Sequence, residues 1–388
     1  MIRVGFVMAA PGAGWVGGAN YYINLLNAIA SSQRIQPVIL TGAATADAVS
    51  AQFPAVEIVK SRLVDPTQKW MLARRVAEKL YGRAFALERL LGSNRIDVLS
   101  HSGHLGPRSQ FPTLGWIPDF QHVHLPEFFS QKECRSRDGI FRRLADNCTR
   151  VIVSSEDARL DLVKFRPTAA GKARVLHFVP GFGDAAGEPE PRESLLARYG
   201  VEGPYFHLPN QFWAHKNHAV VIDALQQARA KGRRMTVVAT GKTEDYRHPE
   251  HFKLLMRRAA AGGCQDDFKV LGLAPFADVA ALMRHSVAVI NPSLFEGWST
   301  TVEESKSLGK TIILSDIPVH REQAPERGIF FEPHSPIDLA NRMIGVLGDY
   351  SAERERVQGD RARERLPRRT RDFAERFEGI VVEAMGRP

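Results

Sequence analysis

The chain has 388 residues, 44% apolar and 24% charged, a net charge of +9 and three cysteines. That length exceeds what one hydrophobic core supports and implies two domains, while the composition excludes disordered, fibrous and disulfide-scaffold proteins. Cys134, Cys148 and Cys264 are odd in number, far apart and without a CxxC, which argues against a disulfide framework or zinc site, and no apolar run reaches the roughly 20 residues of a membrane-spanning helix.

In chain order, strands are expected at Arg3 to Met8, Pro37 to Thr41, Asp97 to His101, Thr113 to Ile117, Val151 to Ser154 and Arg174 to Phe178, with helices at 19–30, 67–91 and 156–165. The opening residues run straight into PGAGWVGGAN and read as a first strand, not a cleaved leader. A Gly, Pro and acid-rich stretch, 181–193, reads as a linker and hinge. Strands then follow at Tyr205 to Leu208, Met235 to Thr240, Lys269 to Leu271, Val287 to Asn291 and Thr311 to Leu314, separated by helices near 217–231, 249–261, 276–284 and 301–308. A helix near 336–348 and a last helix over the final 20 or so residues complete the chain. Such alternation implies α/β domains with doubly wound parallel sheets. The division is 1–183 and 184–368, with 369–388 packing back on the first domain.

Much of the positive excess lies in two Arg-rich stretches, 135–150 and 354–370, with few aromatics for stacking on bases. They read as solvated helix faces, with an anionic membrane surface as the alternative partner, and not as a nucleic-acid interface. The expected location is the cytoplasm, with peripheral contact at the inner face of the membrane.

The most informative stretch is PSLFEGWSTTVEESKSLGKTIILSDIPVHRE, 292–322, which follows a strand and opens a helix. A helix start at the carboxyl end of a parallel strand offers backbone N–H groups and a favourable dipole to a diphosphate, with Glu296, Gly297 and Trp298 lining the loop. Ser299 and Thr300 lie at the helix start. Thr300 with Glu303, and Thr301 with Glu304, each also fit a capping box, so one of these acids starts the helix.

In NQFWAHKNHAVVIDAL, 210–225, Lys216 sits at a helix entrance, where an ammonium neutralises a departing diphosphate. The glycines of PGAGWVGGAN permit close approach of backbone to ligand or make a tight turn, but GxGxxG is absent. In WIPDFQHVHLPEFFS, 116–130, Asp119, His122 and His124 cluster after a strand. His122 and His124 share one side of an extended segment, yet no further ligand at metal spacing follows, so no metal is expected. His101 and His104, at another strand end, line a cleft or satisfy a loop.

Glu296 and Glu304, with Gly297 after the first acid, resemble the E-x7-E signature of glycosyltransferase family 4. SDIPVHRE, 315–322, and VLGLAPFADVAALMRHSVAVINPS, 270–293, extend the resemblance on either side. It implies the GT-B architecture, two Rossmann-like domains facing across a cleft, and a retaining, metal-independent enzyme without cofactor. By resemblance Glu296 binds donor-sugar hydroxyls and Glu304 the nucleotide ribose, which assigns Glu303 to the cap, and Gly17 and Gly18 face the donor phosphates and acceptor. Asp119 takes the second place of a His-Asp pair whose first place is Pro118, with His122 as a neighbour. An Arg commonly precedes the lysine in this family; here Asn210 and Gln211 stand there, and His215 is a substitute. Gly241 and Gly272, closing two strands, complete the expected donor-binding set. The implied substrates are a nucleotide diphosphate sugar and a saccharide or lipid-linked acceptor of cell-surface glycan assembly. Alternatives are a nucleotide-sugar epimerase or phosphorylase of the same architecture, and a non-catalytic nucleotide- or saccharide-binding protein.

Overall fold

The computed structural model describes residues 1–8, 16–65, 80–180 and 190–386, without the side chains of residues 16, 17 and 19. The chain forms two units: Met1–Phe120, Gln131–Val179 and Arg368–Pro388 in the first, Gln121–Ser130 and Pro180–Pro367 in the second. The domain boundary expected at 183/184, most of the 181–193 linker, and the 67–79 part of the expected helix 67–91 lie outside the described residues.

The first unit carries β1 (Ile2–Val7), α1 (Val16–Ile29), β2 (Ile35–Thr41), α2 (Ala46–Gln52), β3 (Glu57–Lys60), α3 (Phe85–Ser93), β4 (Val98–Ser100) and β5 (Thr113–Ile117). After the short α4 (Gln121–His124), which belongs to the second unit, come α5 (Gln131–Asn147), β6 (Arg150–Val153), α6 (Glu156–Phe165) and β7 (Ala173–Val175). Its seven strands are all parallel in the order β3-β2-β1-β4-β5-β6-β7. The order reverses between β1 and β4, and Val4, Phe6, Val38, Leu40 and Leu99 are sealed from solvent at that centre.

The second unit runs α7 (Arg192–Tyr199), β8 (Tyr205–Leu208), α8 (His218–Ala230), β9 (Thr236–Thr240), α9 (His251–Ala261), β10 (Phe268–Gly272), α10 (Phe276–His285), β11 (Val289–Asn291), α11 (Thr300–Ser307), β12 (Ile312–Ser315), α12 (Pro318–Gln323), β13 (Gly328–Phe331) and α13 (Pro336–Gly348). Its parallel sheet has the order β10-β9-β8-β11-β12-β13, so the reversal lies between β8 and β11. Phe206, Leu208, Ile290 and Ile313 from the strands pack with Ile222 and Leu225 of α8 and Met343 of α13. Buried aliphatic and aromatic side chains of this kind each contribute about 1.5–3 kcal/mol. They fix the strand ends from which the loops described below depart.

The last helix, α14 (Ala352–Ala384), is 33 residues long with Pro367 inside it, and starts well before the segment expected from sequence. Its first half has no apolar stripe; ion pairs of Arg356 with Glu353 and Asp360, and of Arg365 with Glu326, line it instead. Residues from Arg368 onward belong to the first unit, where Phe377 stacks on Phe6 at 6.2 Å and Glu383 pairs with Arg174 and Arg150. The other Arg-rich stretch falls largely on α5, where Arg137 meets Asp119 and Arg142 meets Asp138. No described helix is long and apolar enough to cross a membrane.

Candidate functional site

The loop leaving β8 is built against the carboxyl ends of its neighbours. Asn210 is buried there, and its Nδ2 donates to Asn291 Oδ1 at 3.5 Å. Gly241, just after β9, has φ +141°, and a Cβ on it would lie 2.5 Å from the Asn210 carbonyl oxygen, so only glycine lets the two backbones come this close. Its N–H reaches the Gly272 carbonyl at 2.8 Å, closing the ends of β9 and β10 together. Asp245, buried, accepts the Ala214 N–H at 3.1 Å. A 3-10 turn at Ala214–Lys216 then ends in Asn217, whose left-handed φ of +53° redirects the chain into α8 while its side chain donates to the Pro333 carbonyl. Lys216 is therefore held on a turn before α8, one residue outside the helix.

The loop leaving β11 is held by a buried polar network. Asn291 Nδ2 donates to Ser299 Oγ at 2.6 Å and approaches His320 Nε2 at 3.4 Å, while its Oδ1 accepts from Ser293 Oγ at 2.8 Å. His320 Nδ1 lies 2.8 Å from the Ser315 carbonyl, which assigns the ring proton to Nδ1 and leaves Nε2 to accept from Asn291. Burial pushes the His320 imidazole down to about 4, so this neutral tautomer persists at physiological pH. Gln323 spans Ser299 twice, accepting its N–H at 3.1 Å and donating to its carbonyl at 3.0 Å. The residues between Asn291 and Ser299 are thus clamped at both ends.

Ser299 is the N-cap of α11, its Oγ accepting from the Val302 N–H. This corrects the capping expectation: Thr300 is already helical, and Glu303 bonds Lys306 Nζ at 2.8 Å and Gln323 Nε2 at 3.1 Å. With Ser299 as the cap, the third helical position falls on Val302, one residue before Glu303, whose carboxylate is held instead by Lys306 of the same helix and by Gln323 of α12. Thr300, Trp298 and Gly297 follow one another at this helix start, with Thr300 and Gly297 partly exposed.

Across the switch point between β8 and β11, Lys216 Nζ meets Glu296 Oε1 at 2.6 Å, both side chains largely shielded from solvent. The Leu294 N–H also donates to the His215 carbonyl at 2.9 Å, a second tie between the two loops. Burial, then the charges of Lys216 and Arg247, hold the His215 imidazole well below its ordinary value. Glu304 lies buried in α11, its carboxyl taking no hydrogen bond or ion pair among the described residues, and desolvation raises it to about 8. It is a neutral acid at pH 7, able to donate as well as accept.

The structure therefore gathers Asn210, His215, Lys216, Glu296, Gly297, Trp298, Ser299, Thr300 and Glu304 about one switch point, with Gly241 and Gly272 at the adjacent strand ends. Asp119 belongs to the first unit, just beyond β5, where Arg137 Nη2 donates to it at 2.6 Å. Gly17 and Gly18 fall in the first turn of α1, and the loop before them, 9–15, lies outside the described residues. His122 and His124 sit in α4 of the second unit, not on an extended segment; His122 is buried near Phe129, and the His124 ring lies 5.0 Å from that of Phe295. His101 is buried among Tyr21, Tyr22 and Trp116, bonded through its ring to Tyr21 Oη and Ser100 Oγ, and pushed down to about 3 by desolvation. His104 accepts the Gly106 N–H in its loop. Among the described residues no three His, Cys, Asp or Glu side chains group to hold a metal ion.

Sequence reasoning missed Asn291, Ser293, His320 and Gln323 as supports of the site. The signal was a run of polar residues, Asn291, Ser293 and Ser315, at the ends of otherwise apolar strands.

Residues 201–365 match the family described as Glycosyl transferases group 1. Solved structures with the same fold include a glycosyltransferase from Rickettsia africae ESF-5, at 15% identity, TM-score 0.68 and coverage of 99% of this chain and 98% of that one. Anabaena Alr3699/HepE in complex with UDP-glucose matches at 15% identity and TM-score 0.71, over 99% of this chain and 100% of that one. Sucrose-phosphate synthase from Thermosynechococcus elongatus matches at 15% identity and TM-score 0.70, over 99% of both chains. At such identities the likeness is one of fold, and the fold is GT-B. No curated protein matches the chain in sequence.

Proposed function

We propose that the protein is a retaining glycosyltransferase moving a hexose from a nucleotide diphosphate sugar to a saccharide or lipid-linked acceptor in cell-surface glycan assembly, without a metal or cofactor. The observation that carries this reading is the turn from β11 into α11, where a helix start, Lys216, Glu296 and Glu304 meet at a sheet reversal. The group 1 match over this unit and the UDP-glucose held by the Anabaena protein support the donor class.

In this reading the donor diphosphate takes the α11 N-terminus and Lys216, Glu296 takes sugar hydroxyls and Glu304 takes the ribose. Carboxyl oxygens suit vicinal hydroxyls because each accepts a hydrogen bond, and an ionised Glu296 stabilises the positive charge that develops on the sugar. The bond from the anomeric carbon to the diphosphate oxygen breaks as the bond to the acceptor oxygen forms on the same face. The acceptor proton passes to the departing diphosphate, and the anomeric configuration is kept. Asp119, His122, Gly17 and Gly18 are proposed to contact donor or acceptor, with peripheral contact at an anionic inner membrane face.

A thermal-shift panel of UDP-, GDP- and dTDP-sugars, followed by transfer assays with the donor that binds, tests the reading. Stabilisation by one nucleotide sugar and transfer that depends on Lys216 and Glu296 are expected. An isomerised sugar from donor alone points instead to an epimerase, and binding without turnover across a broad acceptor panel to a non-catalytic protein.

A further inference from the structure

At the edge of the second unit's sheet where β11, β12 and β13 begin, opposite the edge from which the donor loops depart, lies a cavity of about 370 Å³. Val287, Thr311 and Arg327 line it just before those three strands, and Tyr350 and Ser351 line it from the segment joining α13 to α14. Its volume falls within the range of pockets that hold small ligands. The strands themselves separate it from the loops of Lys216 and Glu296, so it is no part of the donor site.

The lining divides by chemistry. Val287, Ile329 and Val346 are its apolar part, and partly buried Tyr350 adds an aromatic ring. Glu355 is answered within the fold: its carboxylate pairs with buried Lys310 at 2.9 Å and with Arg327, and accepts from Thr311 Oγ1 at 3.3 Å. Arg342 pairs with Asp338 at 3.1 Å. Arg354 differs from both other arginines: it is exposed, donates to the Asp349 backbone carbonyl, and meets no carboxylate at ion-pair distance among the described residues. A carbonyl satisfies one N–H and leaves the guanidinium charge unbalanced. The Asp349 carboxylate is exposed on the same cavity. Asn341 gives its amide oxygen to Lys231 Nζ at 2.5 Å, which leaves its amide N–H groups as donors for a ligand.

A phosphate ester suits the guanidinium fork of Arg354, and neighbouring hydroxyls suit a carboxylate that accepts from both and an amide that donates. The C–H face of a pyranose packs against the negative face of an aromatic ring. We propose that this cavity is a second ligand site, taking a monosaccharide phosphate with its phosphate at Arg354, its hydroxyls at Asp349 and Asn341 and its ring beside Tyr350. Inorganic phosphate gains less here, because Asp349 repels it and no hydroxyl offsets the repulsion.

Calorimetric titration of the whole chain with glucose 1-phosphate, glucose 6-phosphate, mannose 1-phosphate and mannose 6-phosphate, beside glucose and orthophosphate, tests the assignment. One hexose phosphate at least is expected to bind tighter than about 1 mM, and roughly tenfold tighter than glucose or orthophosphate. Arg354→Ala is expected to weaken it roughly tenfold or more. Asp349→Ala should weaken the hexose phosphate while leaving orthophosphate no weaker, and Lys216→Ala should leave hexose phosphate affinity unchanged. Both cavity residues are exposed, so these substitutions spare the core. The proposal is overturned if none of the four binds, if affinity survives in both Arg354→Ala and Asp349→Ala, if it is lost in Lys216→Ala, or if orthophosphate binds as tightly as the best hexose phosphate.

Discussion

Asn291 Nδ2 donates to Ser299 Oγ at 2.6 Å, so the last residue of β11 grips the helix cap eight positions further along the chain. Every donor and acceptor of the Asn291 amide is engaged, by Ser299, His320, Ser293 and Asn210. Asn291→Ala strands several buried partners at once and is expected to cost about 1–3 kcal/mol of stability. A urea midpoint equal to wild type sinks the claim that this network organises the loop.

Lys216 and Glu296 are expected to be jointly required for turnover. Lys216→Ala and Glu296→Ala should each lower release of nucleoside diphosphate at saturating donor roughly a hundredfold or more. Because the two side chains touch, the double variant should lose less than the product of the single losses. Wild-type rates in both folded single variants refute the site.

Glu304 makes a pH prediction. Its carboxyl is raised from 4.5 to about 8, so in the native protein it stays protonated where the unfolded chain has already ionised. The native state then binds more protons, and stability associated with this group is full below about pH 4.5 and is lost as pH rises through about 8. Glu304→Gln removes that slope. Melting temperatures of the two proteins from pH 5 to 8 should diverge, wild type falling more steeply; parallel curves contradict the burial argument.

Gly241→Ala forces a Cβ against the Asn210 carbonyl at a φ that disfavours side chains. The expected loss is about 1–3 kcal/mol. Weakened nucleotide binding should accompany it, because the displaced backbone is the loop that leads to Lys216. Gly272→Ala meets no atom within 4 Å and is expected to disturb the loop less, at the cost of its own φ of +72°. Equal nucleotide affinity in wild type and Gly241→Ala argues against this coupling.

The sequence was most legible where a short apolar run is bounded by breakers: β5, β8, α6 and α13 occupy the residues expected of them. The edge strands β3 and β13 escaped notice. EIVK has charged ends and little burial, and GIFF is too short to declare a period. The first half of α14 was hidden because exposed Arg–Glu and Arg–Asp pairs line it, which leave no apolar spacing to detect. At the site, Glu296 and Lys216 were found through the chemistry of their loops and a spaced motif. Asn210 and Asn291 are 81 positions apart and His320 a further 29 from Asn291, so their meeting is decided by sheet order and cannot be seen in local pattern.

The mutual embrace of Lys216 and Glu296 has a bearing on selectivity. In the proposed reading, a turn whose cation is already answered by a carboxylate exerts little pull on stray inorganic anions. Orthophosphate or sulfate arriving alone takes the ammonium and abandons a shielded carboxylate, an exchange with an electrostatic penalty. In the proposed reading, a molecule bearing a diphosphate at one end and hydroxyls at the other replaces both partners together, so the intact donor is favoured over its fragments.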